Sequence, residues 1–164
     1  MSENGGAEKA RFVKVSFPTP DGPFGSEGIW CEPVLGDVYA VGNIPFFVYD
    51  ISMDDRINAT RDCDGLLIYR SLHEKQGHAT LRLLVEDWMG DEKHREVLAG
   101  IPLEHGEQYR YERGMAGLYS IDLMPAAIGS YGEVMEYLLG REQAGGVHLE
   151  EADRDCVPVE QLRP

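Results

Sequence analysis

Cysteine is scarce in this sequence: Cys31, Cys63 and Cys156 are the three in 164 residues. They are odd in number and far apart, with no C-x-x-C pair and no paired histidine spacing, so neither a disulfide framework nor a structural zinc site is expected. Reduced thiols in the cytoplasm fit that usage. Positive charge is also short, with 15 Lys and Arg against 29 Asp and Glu and a net charge of −14. A nucleic-acid reader gathers its basic side chains into a patch that displaces phosphate counterions, so direct DNA or RNA binding is not expected. The deficit deepens along the chain: residues 1–77 hold 7 basic and 12 acidic side chains, residues 78–164 hold 8 and 17. Such a charge keeps a protein soluble, or steers it toward a basic partner. No stretch approaches the ~18 apolar residues of a membrane span. Met1-Ser2-Glu3-Asn4-Gly5-Gly6 lacks the basic-then-apolar order of an export signal, so Asn58-Ala59-Thr60 is not read as a glycosylation acceptor.

Catalytic signatures are missing too. There is no G-x-x-x-x-G-K-[ST], no G-x-G-x-x-G, no G-x-S-x-G and no H-E-x-x-H, which removes the usual support for nucleotide hydrolysis, dinucleotide binding, esterase and zincin chemistry. His94-Arg95-Glu96 echoes half of a zinc-deaminase motif without its P-C-x-x-C partner, and reads as part of an exposed helix. Asp54-Asp55, Asp62-Cys63-Asp64 and Asp91-Glu92 bring carboxylates together without the ligand spacing of a calcium loop. No metal and no cofactor is expected.

What is present is 43% hydrophobic residues with 19 Gly and 9 Pro, enough for a chain of this length to bury roughly 70% of its unfolded surface around many turns. Up to Ser71 short apolar runs alternate with turn signals: Val13–Phe17, Gly28–Cys31, Val38–Val41, Ile44–Val48, Ile57–Thr60, then Asp64-Gly65 and Leu66–Tyr69. Five or six strands at this spacing predict a small β-barrel-like half over residues 11–77. From His78 the pattern changes to a strand at Thr80–Val85 and a helix with Asp91 as N-cap and Val97, Leu98 and Ile101 on one face, ended by Pro102. A hairpin follows, Gln108–Tyr111 with Leu118–Leu123. Next comes a helix opened by the S-x-x-E spacing of Ser130 and Glu133 and closed by Gly145-Gly146, and last a strand at Val147–Glu150. The order β-α-β-β-α-β predicts a ferredoxin-like half over residues 78–154, and the whole is α+β. Residues 1–10 and 155–164 read as a flexible N-terminus and a frayed C-terminal tail.

In that arrangement both helices cover one face of a four-stranded sheet and the other face stays open. Alternation places Tyr119, Ile121 and Leu123, with Leu81 and Leu83, under the helices. It sends Arg82, Ser120 and Asp122 to the open side, a cation beside an anion. The blocks Asn43-Ile44-Pro45-Phe46-Phe47, Asp50-Ile51-Ser52 with Asp54 or Asp55, Gly77-His78-Ala79-Thr80-Leu81-Arg82 and Leu118-Tyr119-Ser120-Ile121-Asp122-Leu123 resemble, in order and spacing over about residues 12–152, the uncharacterised bacterial family catalogued as domain of unknown function 4265. The resemblance implies a bacterial cytosolic origin and supplies no reaction.

The candidate site residues are His78, Arg82, Ser120, Asp122, Phe46 and Phe47. His78 falls where the barrel hands over to the second half: it either projects into a cleft as an acid, base or anion donor, or bonds a backbone carbonyl and fixes the angle between the halves. Arg82 with Asp122 either clamps an anion or forms a structural ion pair. Phe46 and Phe47, read as strand neighbours, put one ring in the core and one on the surface. The function expected is a non-enzymatic module that binds a protein or peptide through the open sheet face, the cleft or a sheet edge. A small enzyme using His78, Arg82 and Asp122 is one alternative. An acidic, immunity-like antagonist of a basic partner is the other. An exposed sheet edge would also permit a homodimer.

Overall fold

The computed structural model describes residues 11–162; the expected N-terminal tail lies outside the described residues. The chain is α+β. Strands β1 (Val13–Thr19), β2 (Gly25–Leu35), β3 (Val38–Val41), β4 (Arg56–Arg61) and β5 (Leu67–Glu74) close into a barrel in chain order. Consecutive strands pair antiparallel, and β1 meets β5 in parallel at Ser16 and Ile68. Period-two alternation turns Val15, Phe17, Ile29, Cys31, Ile57 and Ala59 inward, and Phe17 stacks on Tyr69 with ring centroids 4.7 Å apart.

The second half runs β6 (Ala79–Val85), α1 (Gly90–Ala99), β7 (Tyr109–Arg113), β8 (Leu118–Leu123), α2 (Tyr131–Ala144) and β9 (Val147–Asp153). Its sheet has the order β7-β8-β6-β9 with every neighbouring pair antiparallel. Leu81, Leu83, Tyr119, Ile121 and Leu123 share one core with Val97 and Leu98 of α1 and Val134, Met135 and Leu138 of α2. Both helices therefore lie on that face, as the alternation predicts.

The opposite face is not open. The apolar run Ile44–Val48 is no strand: Pro45 brings no N–H, the amide of Ile44 donates to Glu112 Oε1 (3.2 Å), and those of Phe46, Phe47 and Val48 donate to the carboxylate of Glu27 (2.8, 2.8 and 3.2 Å). With the amides of Ile44 and Phe46–Val48 taken by side chains, that run cannot extend a ladder, and the connection 42–55 crosses the sheet as a strap. It is tied down where Ser120 Oγ donates to the Pro45 carbonyl, Arg82 Nη2 to the Val48 carbonyl, and the amide of Asp50 to the Ala152 carbonyl at 3.0 Å. Strand β6 is covered on both faces in consequence and is buried at every position except Leu84.

Four local expectations are corrected. Asp91 does not cap α1, which continues from a 3₁₀ turn at Asp87–Met89 without a side-chain cap; Ser130 likewise makes no capping bond, because a 3₁₀ turn at Pro125–Ser130 runs straight into α2. His94 is buried, its Nδ1 3.0 Å from the Tyr119 hydroxyl and its Nε2 3.3 Å from the Glu86 carbonyl. The C-terminal segment is docked as far as it is described: Val157 is buried in the helical core, Leu162 packs against that core, and Gln161 Oε1 accepts from the amide of Gly132. No helix among the described residues is long and apolar enough to cross a membrane.

Candidate functional site: a cleft beside a buried ionic seam

The strap and the β1–β2 turn leave a cleft of about 440 Å³ between the barrel and the edge of the sheet. Its walls are aromatic and apolar: Phe17 and Tyr69 from the barrel, Phe46, Phe47 and Tyr49 from the strap, and Leu118 from β8. Phe46 and Phe47 do not divide between core and surface, because the strap lacks strand alternation. Both are half-buried, with centroids 6.4 Å apart, and Phe47 meets Phe24 edge-on.

Arg82 lines the cleft floor with its side chain 5% exposed. Its Nη1 donates to Glu150 Oε2 at 3.0 Å and its Nη2 to the Val48 carbonyl, while its Nε has no hydrogen-bond partner among the described residues. The Tyr49 ring lies over the guanidinium, 4.6 Å from its Cζ, and the Tyr49 hydroxyl donates to Glu150 Oε1. That hydrogen bond holds the Tyr49 phenol above its ordinary range, aided by burial and the Glu150 charge. Arg82 is thus a buried cation whose counter-ion is 44% exposed.

The other buried polar groups form a seam beneath the strap. His78 Nδ1 stands 2.8 Å from Asp122 Oδ1 and its Nε2 3.3 Å from Asp54 Oδ2, so the imidazole bridges a fully buried carboxylate and an exposed one. Burial works against charging His78. The hydrogen bond and charge of Asp122, with the charges of Asp54 and Asp55, outweigh it, so the pKa is raised. Asp122 Oδ2 has no hydrogen-bond partner among the described residues. Alongside, Ser52 Oγ donates to Asp153 Oδ2 (2.6 Å) and sits 2.7 Å from Thr80 Oγ1, so the single hydroxyl proton of Ser52 leaves Thr80 as the donor to Ser52. Asp55 accepts from the amides of Ser52 (2.8 Å) and Gln76 (3.0 Å). Lys75 Nζ reaches both Asp55 and Asp153. Burial opposes the Lys75 charge, but Asp153 and Asp55 hold its pKa above the ordinary value.

Of the residues the sequence singles out, the structure joins His78 to Asp122 and sends Arg82 elsewhere, to Val48 and Glu150. Ser120 is buried under Pro45. Arg82, Ser120 and Asp122 do lie on the side away from the helices, but the strap covers them, so they present no open recognition face. Periodicity could not single out Glu27, Tyr49, Lys75, Glu150 and Asp153, since their partners are 19 to 101 residues distant. The blocks that carry the family resemblance, 43–47, 50–55, 77–82 and 118–123, meet at the strap, but none of them contains these five residues, so no signal in the sequence pointed to them. Cys31 is no nucleophile. Burial in the barrel pushes its thiol up to about 12, against a small opposing pull from the Gly42 amide.

No curated protein matches the chain. Among solved structures, a hypothetical protein from Neisseria gonorrhoeae superposes with a TM-score of 0.70 at 17% sequence identity, over 87% of this chain and 95% of the other, which shows a shared fold. At the level of sequence, residues 27–149 match the family described as Domain of unknown function (DUF4265), a span that takes in the strap, Lys75, His78, Arg82 and Asp122, and the chain belongs to that family.

Proposed function

We propose that this protein is a non-enzymatic binding module of the cytoplasm that takes a segment of a protein or peptide partner into the aromatic cleft between its halves. The observation that carries the reading is the composition of that cleft: six apolar or aromatic side chains converge from barrel, strap and sheet around one buried, partnered guanidinium. Concave apolar sites with a few fixed polar groups are the usual form of ligand-binding sites. The strand order β7-β8-β6-β9 supports reading the second half as ferredoxin-like, with the strap occupying the face such sheets often leave free.

Peptides selected from a random displayed library are expected to perturb the NMR resonances of Phe46, Phe47 and Leu118, and to lose at least roughly ten-fold in affinity to Leu118→Glu, since a charge would then sit in the apolar wall. Selected ligands whose footprint lies elsewhere and whose affinity survives Leu118→Glu would overturn the reading. A second reading, a small enzyme, is favoured by the Asp54–His78–Asp122 line, which has the form of an oriented acid or base. Turnover in a broad substrate screen that disappears with a folded His78→Ala variant would decide for it; Arg82, bonded in the cleft, is not part of that line.

A further inference from the structure

We infer that the cleft recognises the free carboxyl terminus of a peptide whose last residue is apolar, with Arg82 binding the carboxylate and Glu150 occupying that position in the unliganded chain. The inference rests on reading the cleft as the binding site and deepens it.

Arg82 is the cation of the cleft floor, nine-tenths or more buried, and its Nε has no hydrogen-bond partner among the described residues. A guanidinium offers five N–H donors in a planar fork suited to a carboxylate. Here Val48 takes one from Nη2 and Glu150 takes one from Nη1. Glu150 is a poor permanent partner for so buried a cation. Its side chain is 44% exposed, it comes from the sheet-edge strand β9, and its second oxygen is held by the hydroxyl of Tyr49, a residue that is itself 55% exposed. A carboxylate arriving with an apolar side chain can replace Glu150 at the fork, while Glu150 and Tyr49 turn out to water at little cost in desolvation.

The aromatic walls explain the rest of the ligand. Phe46, Phe47 and Leu118 stand around the guanidinium and would bury the last side chain, so carboxylate and side chain enter together. Both Glu150 oxygens are engaged by Arg82 and Tyr49, which leaves Asp21 of the β1–β2 turn as the other acidic side chain of the lining, set against the buried Arg82 cation of the floor. The net charge of −14 repels anions at a distance, but that field is screened beyond roughly 8 Å at physiological salt, whereas the Arg82 contact is local and buried.

The test is calorimetric titration of the full chain with N-acetyl-Ala-Ala-Phe, with the same peptide as its C-terminal amide, and with 3-phenylpropionate. The acid peptide is expected to bind at least roughly ten-fold tighter than the amide, the worth of one charge-assisted hydrogen bond. It is also expected to bind tighter than 3-phenylpropionate, which lacks the preceding residues. Glu150→Gln removes the carboxylate that competes for Arg82 and should tighten the acid peptide by roughly ten-fold and the amide by clearly less. Amide binding equal to acid, or an acid affinity untouched by Glu150→Gln, overturns the carboxylate assignment. Phenylpropionate binding as tightly as the peptide overturns the peptide assignment in favour of a free small acid. Failure of all three probes to bind either variant would count instead against the cleft as the binding site.

Discussion

At the scale of single residues the two buried ionic groups have different consequences. Because the folded pKa of His78 is raised above its ordinary value of 6.5, its charge stabilises the fold fully below that value, and the contribution is lost as pH rises through the raised one. The urea midpoint should therefore fall as pH rises above 6.5, and the fall should be absent in His78→Gln. Asp122→Ala would leave the buried His78 facing Asp54 alone and should cost about 3 kcal/mol in urea unfolding. Lys75→Met should cost about as much or more, since it strands the buried carboxylates of Asp55 and Asp153. Its deficit should shrink on acidification, as Asp55, whose carboxyl burial holds above its ordinary range, becomes neutral. A Lys75→Met protein as stable as the parent at pH 7 would show the seam to be solvated.

At the scale of elements, the strap and the β7–β8 hairpin decide what the sheet exposes. The Glu27 carboxylate holds three consecutive strap amides, and charge-assisted bonds of this kind are each worth roughly 1.5–3 kcal/mol, so Glu27→Ala should cost about 2 kcal/mol or more. It should also raise amide exchange at residues 46–48, which a purely global destabilisation would not single out. At the hairpin, Gly117 has φ +75° and a Cβ there would lie 2.0 Å from the Val85 carbonyl oxygen. Gly117→Ala should destabilise by about 3 kcal/mol, whereas Gly25→Ala, also at positive φ but with open space around its Cβ, should cost only about 1 kcal/mol. The existence and order of strands and helices could be read in the sequence because period-two and period-3.6 patterns are local. The exception is instructive: Ile44–Val48 carries a strand's composition, and its state is set by Glu27 and Glu112, residues that come to it from β2 and β7.

At the scale of the whole molecule, the buried Ser52, Thr80, Asp55 and Asp153, with the partly buried Lys75, form a seam that joins the barrel and its strap to the sheet. Barrel and sheet should therefore unfold in one calorimetric transition, with equal van't Hoff and calorimetric enthalpies; two resolved transitions would mean that the seam does not couple them. The sequence by itself determined the α+β class, the barrel followed by a helix-covered sheet, the family, and which side of the sheet receives Arg82, Ser120 and Asp122, since each depends on residue type and periodicity along the chain. Only the tertiary structure decided that this side is roofed by the strap, that His78 pairs with Asp122 while Arg82 turns to the cleft, and that Glu150 completes the floor. Those outcomes depend on which donors and acceptors meet across long separations once water is excluded, and no local pattern encodes that pairing.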